Sequence, residues 1–517
     1  MTLQKALRNN FSDDLNHDQE LGQGRLKQRR PIAVIDIGSN SVRQVIYEGL
    51  TRAPAVLFNE KILCGLGEGL VASGKLNEIA IERALRALRR FVALQKQTRT
   101  GEVHILATAA ARDASNGPDF IRRVEEITNC DVEVLTGEME AYYSALGIKS
   151  GFYRPCGIVG DLGGGSLELV GINGELGKGI TLPLGGLRLR ELASGSVSKA
   201  VEIAQEKISE QTVEWPEGER IFYAVGGTWR SLAKLHMANH DYPLKAVHDY
   251  EIDAQEMSDF CEQIVADKSI KGIRAVSKNR RDLLPYGAAV LHEVIKQYKP
   301  EMIAVSSLGV REGFLFSRLS VEEQAKDSLL VATHDLSILR ARSSQHCQEL
   351  ADWTSAALAE MGVEESDNER RYRTASCYLA DIGWRAHPDF RAQQAMEVIS
   401  NAGFVGINHE GRAFLAIASY HRYQGLSSKV GAPKLAHLAS PEVQKKARLL
   451  AALFRVLYLF SASVAGILPR IKLVKVSENA LILSLPKDLE TLWGERPEER
   501  VKQLSKESGW KIKVSFA

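Results

Sequence analysis

The chain lacks any C-x-x-C pair. Its six cysteines, Cys64, Cys130, Cys156, Cys261, Cys347 and Cys377, are scattered along 517 residues. That scatter excludes thiolate zinc-finger spacing and reads as reduced thiols in a cytoplasmic protein. The chain also lacks a charge excess: 66 Lys and Arg against 64 Asp and Glu leave +2. A chain-wide nucleic-acid surface is excluded, and any anion site has to be local. The polar first 30 residues have no apolar signal-peptide core and read as a disordered lead-in. One stretch, LLAALFRVLYLFSASVAGIL at 449–468, has the length of a membrane span. Arg455 lies within it, followed by Ser461 and Ser463, and an arginine near mid-bilayer is costly. The stretch therefore reads as a buried helix of a helical domain, and no membrane partner is expected.

What is present is an ordinary globular composition, 44% hydrophobic and 25% charged, with length for about three domains. The strand IAVID (32–36) leads through IGSNS into VRQVIYEG. Ile81, Leu85, Leu88 and Val92 recur at helical spacing between Asn77 and Gln97. VHILAT, a helix around PDFIRRVEEIT, VEVL and a loop TGEMEAYYSALGIKSG entering a helix follow. Alternating strands and helices predict an α/β domain. Near residue 156 the pattern restarts with GIVGD, GGGS and LELVGI, which suggests a duplicated fold. It continues through ITLPLGGLRLRE, a helical stretch, the strand IFYAVGGT and a helix starting at TWRSLAKL, and the second half ends near IAVSSLGVREGFLFSRL. After about residue 325 a long helical region opens, and IKLVKV, ALILSL and KIKVSF predict a small terminal sheet.

The two restarts, AVIDIGSNSVRQVI and IVGDLGGGSLELV, share one plan: apolar strand, Asp, apolar residue, Gly, small residues, strand. Turns of small residues let backbone N–H groups converge on an anion. An aspartate beside such a turn can hold a hard cation directly or through water. Two of them facing each other would clamp a phosphate chain and its Mg2+. A single glycine turn would be an ordinary hairpin; the matching context of two is what carries the reading.

Strand–DxGSNS–strand followed by strand–DxGGGS–strand resembles the exopolyphosphatase/guanosine pentaphosphate phosphatase family. ATAAARDASN holds Thr108, Ala110, Arg112, Ala114 and Asn116 in that family's T-x-A-x-R-x-A-x-N pattern. TGEMEAYYSALG is similar to its catalytic glutamate loop, and LPLGGLRLRE, AVGGTWR and SSLGVREG to later segments. The resemblance covers roughly 31–320. It implies two actin-like, ribonuclease H-like α/β lobes of the actin, sugar-kinase and heat-shock-chaperone fold group, followed by a mostly helical HD-like region and the small sheet. The expected division is a lead-in at 1–30, lobe I at 31–150, lobe II at 151–320, the HD-like domain at 321–435 and a C-terminal domain at 436–517.

The resemblance also assigns roles. Glu140 is expected to be the general base, within reach of a water; the plain alternative is a solvated glutamate entering a helix. Glu138 is preferred as a helix N-terminal charge over a second acid. Asp36 and Asp161 are the expected Mg2+ ligands, against turn aspartates capping their own backbone. Gly38, Ser39, Asn40 and Ser41 on one side, and Gly163, Gly164, Gly165 and Ser166 on the other, are expected to bind phosphate. Gly226, Gly227 and Thr228 add a glycine turn entering a helix. Arg112 supplies a fork-shaped cation for phosphate, and Arg188 and Arg230 are candidates for a trailing polymer. In the helical region His346, Ala380-Asp381 and His409 resemble an HD-type metal site. The first member of the His-Asp pair is Ala380, so a non-catalytic domain is expected, serving as a dimer surface or a polyphosphate guide with Arg422 and His421 as candidates.

The expected activity is Mg2+-dependent, processive removal of terminal phosphate from inorganic polyphosphate. The sister activity on guanosine pentaphosphate shares the whole set, with (p)ppGpp as a second candidate ligand. A kinase or ATPase of the same fold group disagrees with the Glu140 loop and the Arg112 pattern. A non-enzymatic alarmone-binding regulator would lack Glu140 or an aspartate, and none is missing. A homodimer is the expected assembly.

Overall fold

The computed structural model describes residues 26, 29–266, 271–427 and 433–517. Apart from Leu26, Arg29 and Arg30, the lead-in expected over 1–30 lies outside the described residues. The chain falls into two compact units: Pro31–Leu329 with Ser400–His409, and Leu330–Ile399 with Glu410–Ala517.

The first unit holds two lobes. In lobe I the strands are Ile32–Ile37 (β1), Ser41–Tyr47 (β2), Val56–Leu63 (β3), Glu102–Ala107 (β4) and Val132–Val134 (β5), in the order β3-β2-β1-β4-β5. β1 is antiparallel to β2 and parallel to β4. Its near-continuous apolar run suits a strand covered on both faces, and Ile32 to Ile35 are all buried. Lobe II is built from Cys156–Leu162 (β6), Leu167–Asn173 (β7), Glu175–Leu176 (β8), Ile180–Leu182 (β9), Ile221–Val225 (β10), Tyr250–Asp253 (β11) and Met302–Val305 (β12). Taken as β9-β7-β6-β10-β12, it repeats lobe I's order, with β6 antiparallel to β7 and parallel to β10. This is the actin-like, ribonuclease H-like topology twice over.

Helices cover the sheets. Glu78–Gln97 (α1) starts at Asn77, whose side chain accepts from the amides of Ile79 and Ala80. Its buried stripe includes Ile81, Leu85 and Leu88, but Phe91 takes the place expected of Val92. Ala109–Asp113 (α2), Gly117–Thr128 (α3) and Gly137–Gly151 (α4) complete lobe I. Lobe II adds Gly186–Leu192 (α5), Val197–Glu210 (α6), Gly227–Asn239 (α7), Ala254–Val265 (α8), Leu284–Tyr298 (α9) and Val310–Ser317 (α10).

α4 and α10 touch backbone to backbone. A Cβ on Gly313 would stand 1.7 Å from the Tyr143 carbonyl oxygen and 2.6 Å from the Gly147 nitrogen. One on Gly147 would stand 2.5 Å from the Gly309 oxygen. This contact sets the position of the first turns of both helices, where Glu140 and Arg311 lie.

The second unit carries helices Ser344–Glu360 (α11), Asp367–Leu379 (α12), Pro441–Ser461 (α13) and Glu495–Ser508 (α14). A three-stranded sheet joins Lys472–Ser477 (β13), Ala480–Leu485 (β14) and Lys511–Phe516 (β15). The apolar stretch at 449–468 falls mostly in α13, where Arg455 donates to the Arg422 carbonyl at 2.8 Å. Among the described residues no helix is long and apolar enough to cross a membrane.

The residues of the HD-like resemblance are occupied elsewhere. Asp381 is 1% exposed and takes Arg342 at 2.7 and 2.8 Å and Arg422 at 3.0 Å. His346 is buried with Nε2 2.8 Å from the Ser461 hydroxyl. His409 belongs to the first unit, bonded to the Tyr242 hydroxyl and the His248 carbonyl. Arg422 and His421, expected as polymer guides, are both buried; His421 is held by the Gly425 carbonyl at 2.8 Å. Burial in the helix packing removes them from that role.

Gly313→Ala is expected to force α4 and α10 apart and to destabilise the protein by about 1–3 kcal/mol or more, as overpacking does. A lowered urea midpoint at unchanged slope checks this; an unchanged midpoint refutes the contact.

Candidate active site

The two acidic turns are built alike. In each, the first glycine's amide donates to the serine carbonyl three residues on, Gly38 to Ser41 and Gly163 to Ser166, both at 3.0 Å. Those two amides are therefore engaged within the turn, contrary to the expectation that they bind phosphate. The amides of Ser39, Asn40, Gly164 and Gly165 donate to no protein group among the described residues. The turns also face each other closely: a Cβ on Gly164 would lie 3.0 Å from the Ser39 Cβ, and one on Gly165 would lie 3.1 Å from the Ala109 Cβ. The triple glycine serves this close approach of the lobes as much as an anion.

Between the lobes lies a cavity of about 200 Å³. Its wall includes Asp36, Gly38, Ser39, Asn40, Ser41, Glu140, Asp161, Gly163, Gly164, Gly226, Gly227, Thr228 and Arg230, all named from the sequence. Gly165, Ser166, Arg112 and Arg188 are not on that wall. Gly165 is buried against Ala109 and beneath the close backbone of Gly185. Arg188 is paired with Asp113 at 2.6 Å. Gly226 has φ of 113°, and a Cβ there would meet the Leu162 oxygen at 2.4 Å; only glycine fits this entry into α7. The unpaired amides of the α7 first turn then face the cavity.

Arg112 corrects an expectation. It donates to Glu140 Oε1 at 2.5 Å, to the Leu135 carbonyl at 2.8 Å and to Asp113 at 3.1 Å. Its guanidinium holds the glutamate instead of lining the cavity, so it is a positioning residue. Glu138 is exposed in the first turn of α4, as a helix N-terminal charge would be, while Glu140 is buried.

Five charged wall residues were not singled out from the sequence: Arg43, Lys61, Arg280, Arg311 and Glu168. Strand register places two of them. Asp36 pairs with Arg43 across β1 and β2, and Asp161 with Glu168 across β6 and β7. Arg311 donates to Asp36 at 2.7 Å. Arg43, Lys61, Arg230 and Arg280 have no carboxylate partner among the described residues; Arg43 donates to Asn59, Arg230 to the Ser307 carbonyl and Arg280 to the Gly227 carbonyl.

The titration of the site follows. Burial lifts Glu140 to about 7, with Arg112 pulling the other way. Glu168, bonded to the Thr181 hydroxyl at 2.8 Å, is pushed well above the carboxylate range by burial and then by Glu140. Burial also raises Asp161, opposed by the Ser144 hydroxyl that donates to it. Loss of hydration, then Arg280, Arg43 and Arg230, brings Lys61 down to about 8.

Asp36 and Asp161 offer hard oxygen donors on one cavity, the donor type Mg2+ takes. The cavity carboxylates do not converge as three oxygens within 4.8 Å. That fits Mg2+, which keeps several waters and uses one or two carboxylates plus substrate phosphates, and does not fit an all-protein cage.

Two actin-like lobes closing on a cavity with unpaired cations, free turn amides and a buried glutamate define a phosphoryl-handling enzyme. Residues 45–322 match the model of the Ppx/GppA phosphatase family, and residues 329–515 that of the exopolyphosphatase C-terminal domain. The first match alone covers more than half the chain: the protein belongs to the Ppx/GppA phosphatase family. The bifunctional 3-dehydroquinate synthase/phosphatase of Fusobacterium nucleatum is 26% identical over 295 residues, which are 53% of this chain and 44% of that protein. Retrograde regulation protein 2 of Saccharomyces cerevisiae is 26% identical over 438 residues, 77% of this chain and 73% of that one. Among solved structures, the Aquifex aeolicus Ppx/GppA family member is 27% identical, with a TM-score of 0.47 over 56% of this chain and 97% of its own. An exopolyphosphatase from Cytophaga hutchinsonii is 25% identical, with a TM-score of 0.48 over 56% and 97%.

Removing the Arg112 cation is expected to raise Glu140 further. In Arg112→Met the acid limb of the pH profile for phosphate release should move to higher pH by a unit or so, with a smaller change in KM than in kcat. An unmoved limb would mean that Arg112 does not act through Glu140.

Proposed function

We propose that the protein is an exopolyphosphatase, hydrolysing the terminal phosphate of inorganic polyphosphate processively with Mg2+ and with Glu140 as general base. The observation that carries this reading is the set of four cations, Arg43, Lys61, Arg230 and Arg280, without carboxylate partners on a wall that also holds a buried glutamate. Such a set is costly until a polyanion arrives. Lys61 and Arg280 also border a second cavity of about 410 Å³ with Lys234, a continuation that suits a chain of phosphates. No aromatic ring lines the first cavity among the described residues, so a base-stacking wall for a nucleotide is missing there.

In this reading the free amides of the two turns and the first turn of α7 hold the terminal phosphoryl group. Glu140 takes a proton from a water as its oxygen bonds to phosphorus, and the bridging P–O bond breaks toward the shortened polymer. Arg43, Lys61, Arg230 and Arg280 meet the charge of that leaving chain. Mg2+, held by Asp36 and Asp161 directly or through water, would neutralise charge on the phosphate oxygens.

Orthophosphate release from long-chain polyphosphate and from guanosine pentaphosphate, with Mg2+ and with EDTA, tests this. Mg2+-dependent release from the polymer, lost by about a hundredfold or more in Glu140→Gln, is expected. Release from the nucleotide alone would move the activity to the sister reaction; release from neither would refute the hydrolase assignment to this site. For kcat/KM, activity should climb as Glu140 loses its proton near pH 7 and decline as Lys61 loses its own near pH 8. Lys61→Met should raise KM for polyphosphate and remove the alkaline decline.

A further inference from the structure

At the far end of α7 stands a group unrelated to the phosphate cavity. His236 and His240 are four residues apart, so both imidazoles lie on one side of the helix. Glu256, in the first turn of α8, faces them. The same oxygen, Glu256 Oε1, is 3.2 Å from His236 Nε2 and 3.6 Å from His240 Nε2. The three ligand atoms all lie within 4.8 Å of one another. A tetrahedral zinc with bonds of about 2.0–2.1 Å has ligand atoms about 3.3 Å apart.

The second nitrogens are already engaged. His240 Nδ1 lies 2.9 Å from the His236 carbonyl, which can only accept, so His240 carries its hydrogen on Nδ1 and a lone pair on Nε2. His236 Nδ1 lies 2.9 Å from the Tyr250 hydroxyl, which can accept from it. Outer hydrogen bonds of this kind fix metal-ligating imidazoles. His236 is 2% exposed, and its Nε2 has no hydrogen-bond partner although it points at the carboxylate. With the His236 hydrogen on Nδ1, toward the Tyr250 hydroxyl, two imidazole lone pairs and a carboxylate converge, an arrangement a cation would relieve.

We propose that His236, His240 and Glu256 bind a divalent ion of the zinc class, with a fourth position open to water. Two nitrogen donors distinguish this site from the all-oxygen cavity and disfavour Mg2+. The ion would tie the last turn of α7 to α8, bracing the helix whose first turn lines the cavity.

Metal-free protein, in excess MgCl2 to occupy the carboxylate cavity, would be titrated with ZnCl2 by calorimetry and with CoCl2 by visible absorbance. His240→Ala and Glu256→Gln replace half-exposed residues, so both variants should fold. Wild type should take one zinc more tightly than either variant by about tenfold or more. Cobalt should give a tetrahedral band in wild type alone, and zinc should raise Tm in wild type alone. Equal zinc affinity in all three proteins, or zinc and cobalt effects that survive both substitutions, would overturn the site.

Discussion

Ser39 and Gly164 come so close that a Cβ on the glycine would stand 3.0 Å from the serine's own. The same kind of approach recurs where Gly313 meets the Tyr143 carbonyl and where Gly226 meets the Leu162 carbonyl. Each pairs a glycine with backbone or a short side chain at a place where the lobes or their turns meet. Interiors of this density do not yield by a methyl group at low cost. The chemistry inherits the constraint: Asp36 and Asp161 lie near the ends of β1 and β6, and turns of glycine and small residues allow both carboxylates to reach one small cavity. Ordering glycine is entropically unfavourable, and the close lobe contact offsets that cost.

Charge inside the cavity is arranged by pairing some groups and leaving others unpaired. Arg311 answers Asp36, and Arg112 answers Glu140 from behind. The remaining cations meet no carboxylate among the described residues, and Lys61 is depressed first by loss of hydration and then by Arg280, Arg43 and Arg230. Glu168 and Glu140 line the same cavity, and burial raises both, Glu168 further through Glu140. The Arg112 guanidinium pulls Glu140 the other way.

The repeated Asp–glycine turns made the duplicated lobes legible, because the pattern is local and occurs twice. Glu140 was legible through family resemblance, not through periodicity: α4 shows no apolar stripe of its own. The cavity's cations were less legible because they arrive from separated segments. Arg43 and Glu168 each follow their aspartate by seven residues, the cross-strand position of a tight hairpin, so register alone could have found them. Lys61 sits on β3, a strand with Val56, Leu57 and Leu63 exposed, which breaks the alternation that signals a half-buried strand. Arg112 was read as a phosphate contact because its type suits phosphate; its partner, Glu140, is 28 residues on and visible only in the fold.

The second unit shows how a resemblance to a metal site can persist without one. Asp381 is almost fully buried, and an isolated carboxylate there would be strongly destabilising. Arg342 meets it with its backbone amide and two guanidinium nitrogens and Arg422 with a fourth nitrogen, holding it below the usual carboxylate range against burial. Arg422 is itself enclosed, 4.2 Å from the centre of the Tyr423 ring and 3.8 Å from that of Tyr458. Aromatic faces stabilise a guanidinium that has lost its water. The two arginines thus supply the positive charge that a metal would bring, and they do so with fixed hydrogen bonds. With Ala380 in place of an imidazole, the aspartate needs no ion. The position that would carry catalysis in an HD enzyme instead ties Arg342, Asp381 and the Arg422 helix together, a structural use of the same carboxylate.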